Sequence, residues 1–181
     1  MGPIEFFFVT IGFIVMLIGL ARGYVRELGN TIIALSAIFL LTFFQPEIIN
    51  VMTRVATQSF GVQSPDSVAG FLAAFFTIVF VAIIFASYAG QTLSFRGKPM
   101  PPPGGTLLSL AVGMLNGYLI AGTLWYYQDE FGYPMVSITR IQLPISHQAQ
   151  IMVQYLPPRL FENPVYWVIP VVVLLILYVR K

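Results

Sequence analysis

Few side chains in this sequence could carry chemistry. His147 is the single histidine and cysteine is absent, which excludes disulfides, thiolate nucleophiles, Cys-ligated metals and any multi-His site within the chain. Neutral imidazole commonly ligates metals and tetrapyrroles, so His147 is the one weak candidate for binding a cofactor. Alone in a polar loop, it reads more simply as a solvated or hydrogen-bonding residue. Glu5 is taken as the only acid within an apolar run, where a carboxylate can mark a proton or ion path. It lies near the edge of that run, however, where hydration is cheap and an anion suits a helix N-terminus. Asn116, in the middle of another apolar run, suits interhelical hydrogen bonding. Asp129 and Glu130 are adjacent and would point in different directions on a helix, so they suggest no acid/base pair. No H-E-x-x-H, P-loop, G-x-S-x-G or dinucleotide fingerprint occurs. The expectation is a chain without catalytic residues, metal site or cofactor, and not an enzyme.

The elements that hold these residues follow from composition. Of 181 residues, 57% are hydrophobic and only 9% charged, where a soluble domain carries roughly 25% charged residues. The fold class is all-α: a polytopic integral membrane protein of about five transmembrane helices with short interfacial helices. A net charge of +2 is too small to argue for nucleic acid, and membrane lipids are the expected surroundings. The N-terminus lacks a basic region and a cleavage site of signal-peptide type, so the first helix is expected to stay in the mature protein.

Charge first interrupts the apolar run between residues 4 and 44 at Gly19-Leu-Ala-Arg22-Gly23-Tyr24-Val-Arg26-Glu27-Leu28-Gly29. About 40 apolar residues cross a bilayer twice, so Arg22, Gly23, Arg26 and Glu27 form a hinge between two antiparallel spans, about 3–21 and 28–44. Arg22 suits the C-terminal pole of the first and Glu27 the N-terminal pole of the second. Residues 45–63 connect onward, with Ile48, Ile49, Val51, Met52 and Val55 spaced as a short amphipathic helix lying in the interface. Ser64-Pro65-Asp66 is a strong helix start, opening a third span over about 65–89. A stiff Pro-rich linker follows, containing the P-x-x-P pair Pro99 and Pro102 and read as a rigid spacer.

The fourth span covers about 106–127. Ser109, Gly113, Gly117 and Ala121 recur every fourth position, with Gly113-Met-Leu-Asn116-Gly117 as the GxxxG core of a close helix contact. Packing within the chain is the favoured reading, and a protein partner or a second copy docking on this helix is the alternative. Trp125, Tyr126 and Tyr127 are expected to form an aromatic belt at its end. Residues 128–163 form a polar extracytoplasmic loop region, in which 147–156 suit a second interfacial helix anchored by Ile151, Val153 and Leu156. Residues 164–181 supply a short fifth span ending in Arg180-Lys181.

With five spans, Arg22, Arg26, Arg96, Lys98, Arg180 and Lys181 share one side, six of the nine basic residues. The other side holds six of the seven acids. The positive-inside rule makes the first side cytoplasmic, with the N-terminus outside and the C-terminus inside.

The hinge Arg22-Gly23-Tyr24-Val25-Arg26-Glu27-Leu28 resembles the R-G-x-x-R-E-L signature of the colicin V production protein family. The glycine-rich stretch 107–117 is similar to that family's fourth helix, so the likeness covers roughly residues 4–127. Two features depart from the family: Ser109 and Asn116 stand where it usually carries basic residues, and it is commonly four-spanning. The resemblance implies a bacterial inner-membrane protein connected with toxin production or export and envelope homeostasis, with no established chemistry. Three roles follow: a non-enzymatic scaffold or assembly protein, an accessory subunit of a large bioenergetic or transport complex, or a small transporter or channel. Transport is the weakest, since Glu5, Asn30, Asn116 and a few hydroxyls are all that five helices offer to line a path.

Overall fold

The protein is known from a computed structural model, which describes residues 3–90, 93, 95, 100–134, 136, 143 and 145–179. The charges of Arg96, Lys98, Arg140, Arg180 and Lys181, and Pro99 of the P-x-x-P pair, lie outside the described residues.

Helix α1 (Ile4–Arg22) ends where Gly23 takes φ 83° and returns its N–H to Gly19 O at 2.9 Å. That left-handed backbone suits glycine, and it lets helix α2 (Tyr24–Phe43) begin on the next residue. The second helix thus starts four residues earlier than the apolar pattern alone indicates, because one glycine makes the whole reversal. Helix α3 (Gln45–Ser59) follows after Phe44, where the spacing predicts a short helix, and it buries only Gln45 and Ala56. Helix α4 (Pro65–Ala89) opens on the expected cap, with Ser64 Oγ accepting from Ser67 N–H. Helix α5 (Gly104–Glu130) is longer than expected at 27 residues, a rise of about 40 Å. Helix α6 (His147–Val153) is capped by Ser146 Oγ, which accepts from Ala149 N–H. It stops short of Leu156 and gives way to a 3₁₀ turn, Pro157–Arg159. A second 3₁₀ turn, Pro164–Trp167, leads into helix α7 (Val168–Val179).

The spans α1, α2, α4 and α5 are each long and apolar enough to cross a membrane. The fold is all-α. At its centre α5 lies antiparallel to α1, with Gly117 against Gly12 and Gly113 against Gly19. It runs parallel to α2, and α4 packs antiparallel to both. The closing element is shorter. Its 3₁₀ turn and twelve α-helical residues rise about 26 Å together, slightly less than a ~30 Å hydrocarbon core. The element packs along α2. At one end Trp167 meets the Phe161 ring at 4.9 Å, and at the other Tyr178 meets the Phe95 ring at 5.2 Å.

One expectation is overturned. Trp125, Tyr126 and Tyr127 are at most 6% exposed and do not form an interfacial belt. They sit inside the last turns of α5, where Tyr127 stacks on Phe76 at 5.2 Å and Trp125 meets the Phe8 ring at 5.6 Å. Three consecutive aromatics span more than half of a helix's circumference, and here each ring faces another element: α1, α3, α4 or the segment after α5. The surface instead carries rings such as Phe6 and Phe85, 72% and 71% exposed, on the outer faces of membrane-length helices.

Candidate functional site

The hinge delivers a carboxylate into the bundle. Because α2 starts at Tyr24, Glu27 falls in its first turn, and Asn30, Thr31, Ala34 and Ile38 continue the same i, i+3, i+4 face toward α5. Glu27 is fully buried. This corrects one expectation, since Glu5 is not the only acid in an apolar span, and it adds to another: Glu27 opens α2 as expected and is also buried inside the bundle. An isolated buried carboxylate costs several kcal/mol in desolvation, so it survives only with partners, and four helices supply them.

Both oxygens of Glu27 are engaged. Asn30 Nδ2 donates to Oε1 at 3.1 Å, and Arg22 Nε from the end of α1 lies 3.4 Å from the same oxygen. Tyr88 OH from the end of α4 donates to Oε2 at 2.8 Å, as does Asn116 Nδ2 from α5, also at 2.8 Å. The rest of the cluster is closed as well. Thr31 Oγ1 donates to Asn116 Oδ1 at 2.7 Å, and Ser87 Oγ to Asn30 Oδ1 at 2.8 Å. Arg22 Nη1 donates to Tyr88 O at 3.1 Å, with the guanidinium 4.8 Å from the Tyr88 ring centre, a cation–π distance. Below it, Ser109 Oγ accepts from Tyr24 N–H at 3.0 Å and donates to Gly105 O at 2.8 Å, which satisfies a donor left over at the start of α2. Arg26 faces outward and is exposed.

The small-residue face of α5 is occupied within the chain. A Cβ placed on Gly113 would lie 2.8 Å from Met16 O, and one on Gly117 would lie 2.5 Å from Gly12 O. Both are backbone atoms of α1, so the two main chains touch. Ala121 is buried further along. The contact expected at Ser109, Gly113, Gly117 and Ala121 is therefore packing inside the molecule. A partner docking on α5 would have to use another face, where Leu107, Met114 and Leu115 are exposed.

A second polar cluster closes the opposite end. Arg159 Nη1 lies 2.6 Å from Asp129 Oδ2 and Nη2 lies 3.1 Å from Glu130 Oε2. The two acids that diverge along the helix thus converge on one guanidinium. Gln45, the first residue of α3, joins that helix to α5, donating to Glu130 Oε1 at 3.2 Å and accepting from Tyr126 OH at 2.9 Å. Tyr133 donates to Asp129 Oδ1 at 2.8 Å and accepts from Trp125 Nε1 at 3.0 Å, holding a left-handed backbone of φ 58°. Burial, reinforced by the Asp129 carboxylate, pushes the Tyr133 hydroxyl well above the ordinary tyrosine range. Glu5 accepts from Ser146 Oγ, which ties the start of α1 to the cap of α6. His147 stands beside that cap, exposed and apart from both clusters.

The hydroxyls that lie beside carboxylates, Tyr88 on Glu27 and Tyr133 on Asp129, serve as hydrogen-bond donors within the two networks. The arrangement can fasten helices: the hinge cluster joins α1, α2, α4 and α5 through one carboxylate, and the opposite one joins α3, α5 and the segment that follows α5. Sequence reasoning missed the hinge cluster, although a signal was present. Glu27, Asn30 and Thr31 place three polar groups on one face of an apolar helix, where a lipid-facing surface would carry none. In comparisons with family models, curated proteins and solved structures, the chain matches none.

Proposed function

We propose that this chain is a non-enzymatic membrane scaffold or assembly protein of colicin V production type. In this reading it lies in the bacterial inner membrane with its N-terminus outside and its C-terminus in the cytoplasm. The observation that carries it is the closure of the Glu27 cluster. Both carboxylate oxygens are held by side chains of the chain itself. A transport site exchanges its ligands during each cycle, whereas a network of this kind holds helices in a fixed arrangement. The resemblance of the hinge to the R-G-x-x-R-E-L signature adds the family, and with it a link to toxin production or export. In this reading Arg22, Gly23 and Glu27 set the fold, and the outward-facing apolar surfaces meet lipid and partner proteins.

Extraction in a mild detergent, followed by native sizing and mass spectrometry of whatever travels with the chain, tests this. A species of one or a few copies is expected, together with loss of peptide-toxin export when the gene is removed from a producing cell. Migration in a stoichiometric large complex would replace the scaffold by an accessory subunit. The exposed rings of Phe6 and Phe85 and the interfacial helix α3 give that second role its support, since a larger assembly would cover them.

A further inference from the structure

Beside the hinge lies an open cleft of about 770 Å³, bounded by the start of α2, the start of α5 and the chain at Phe95 and Met100. Its lining is mixed. Leu20, Val25, Phe95 and Met100 are apolar, while Tyr24, Arg26 and Thr106 are polar. The described arginines differ in what they do. Arg22 is committed to Glu27 and Tyr88, and Arg159 to Asp129 and Glu130. Arg54 is exposed on α3. Arg26 alone combines an exposed side chain with a place in this cleft, and among the described residues it has no acidic partner. Tyr24 OH accepts from Met100 N–H at 3.0 Å, which closes the rim and leaves its own proton free to donate. Thr106 is an exposed residue on the first turn of α5 and lines the cleft.

A guanidinium and two hydroxyls around an apolar floor suit a group with several anionic oxygens on an apolar stem. Arginine matches phosphate geometry bidentately, and basic pockets between spanning helices are established headgroup sites. We infer that the hinge cleft binds a phosphate group through Arg26, with Tyr24 and Thr106 as hydroxyl donors. The phosphate is either the headgroup of an anionic phospholipid or a free phosphate ion. The inference is independent of the scaffold role and needs only the membrane setting to supply a lipid.

The test uses the purified full chain in neutral detergent. It is titrated with phosphatidylglycerol, with phosphatidylcholine and with inorganic phosphate, and bound ligand is read by native mass spectrometry and calorimetry. The wild-type chain is expected to prefer phosphatidylglycerol over phosphatidylcholine by about fivefold, the worth of one well-placed basic residue near a membrane surface. Arg26→Gln should abolish the preference, Arg26→Lys should keep part of it and Arg54→Gln all of it, with helicity and native size unchanged throughout. Inorganic phosphate displacing the lipid would identify the phosphate itself as what is recognised. A preference that phosphate does not touch, but Arg26→Gln removes, would assign the site to the lipid headgroup. The inference is overturned if no anionic ligand binds, or if Arg26→Gln and Arg54→Gln lower binding equally, which would reduce the effect to surface charge. None of these outcomes depends on copy number, so the scaffold role stands or falls separately.

Discussion

At the scale of residues, the fold turns on a carboxylate that no water reaches. Removing one member of a buried ion pair strands the other, at about 3–5 kcal/mol when both are fully buried. Arg22 keeps 25% of its side chain exposed, so Arg22→Gln is expected to fall below that range, at about 2–3 kcal/mol. Glu27→Gln puts an amide against the donors of Asn30 or of Tyr88 and Asn116, and should cost about 1–3 kcal/mol. The double variant should lose less than the sum, leaving a coupling of at least about 1 kcal/mol in a thermal-unfolding cycle in detergent. Single losses below about 0.5 kcal/mol would mean the cluster is incidental to the fold. How legible these residues were depends on how local their role is. Gly23 and Ser64 announce themselves, since a turn and a cap are settled within a few residues of chain. Glu27 does not, because its partners arrive from positions 22, 88 and 116, and a charge beside a turn resembles any solvated loop residue.

At the scale of elements, the α1–α5 contact is the tightest joint, because glycines let the two main chains meet. Gly113→Ile and Gly117→Ile must separate the helices, and overpacking of this kind costs about 1–3 kcal/mol or more. Leu115 is 44% exposed on another face of α5, so Leu115→Ile should stay within about 0.5 kcal/mol. Thermal unfolding in detergent separates the outcomes, and equal losses at all three positions would deny the contact its role. The opposite end of α5 makes a prediction about pH. Tyr133 holds its proton more tightly in the folded chain than in the unfolded one. Above the ordinary tyrosine value of about 10, the unfolded chain has released a proton that the folded chain retains. The stability this contributes is therefore complete below pH ~10 and declines as pH rises past it. Tyr133→Phe should be less stable at neutral pH and lose less with each further step above pH 10. A variant with an unchanged alkaline slope would place that sensitivity elsewhere. Element boundaries were legible where glycine, proline or a cap marks them. The aromatic run 125–127 was misread because rings at a helix end suit a belt and a core equally. Only the packing of Tyr133 and Arg159 against the end of α5, a contact from outside the helix, decides between them.

At the scale of the molecule, the arrangement of helices makes a prediction about sidedness that begins from the C-terminal segment. Its α-helix has only twelve residues, and length alone would leave it lying on the surface. Its contacts run otherwise: the segment leaves the end where Arg159 meets Asp129 and Glu130, and it places Tyr178 against Phe95 at the hinge end. A slightly short apolar element can still cross by local thinning of the bilayer, at a modest cost per ångström of mismatch, and the 3₁₀ turn at Pro164–Trp167 recovers part of the missing length. The hinge end should then carry both the linker after α4 and the C-terminus, and the basic residues near them should place that end in the cytoplasm. Reporter fusions at Lys98 and Lys181 are expected to report cytoplasm, and a fusion at His147 the outside. A fusion at Lys181 reporting outside would remove the fifth crossing while leaving the four long spans intact. A fusion at His147 reporting cytoplasm would invert the whole molecule, moving the Arg26 cleft to the outer leaflet and ending the link between this fold and a cytoplasmic hinge.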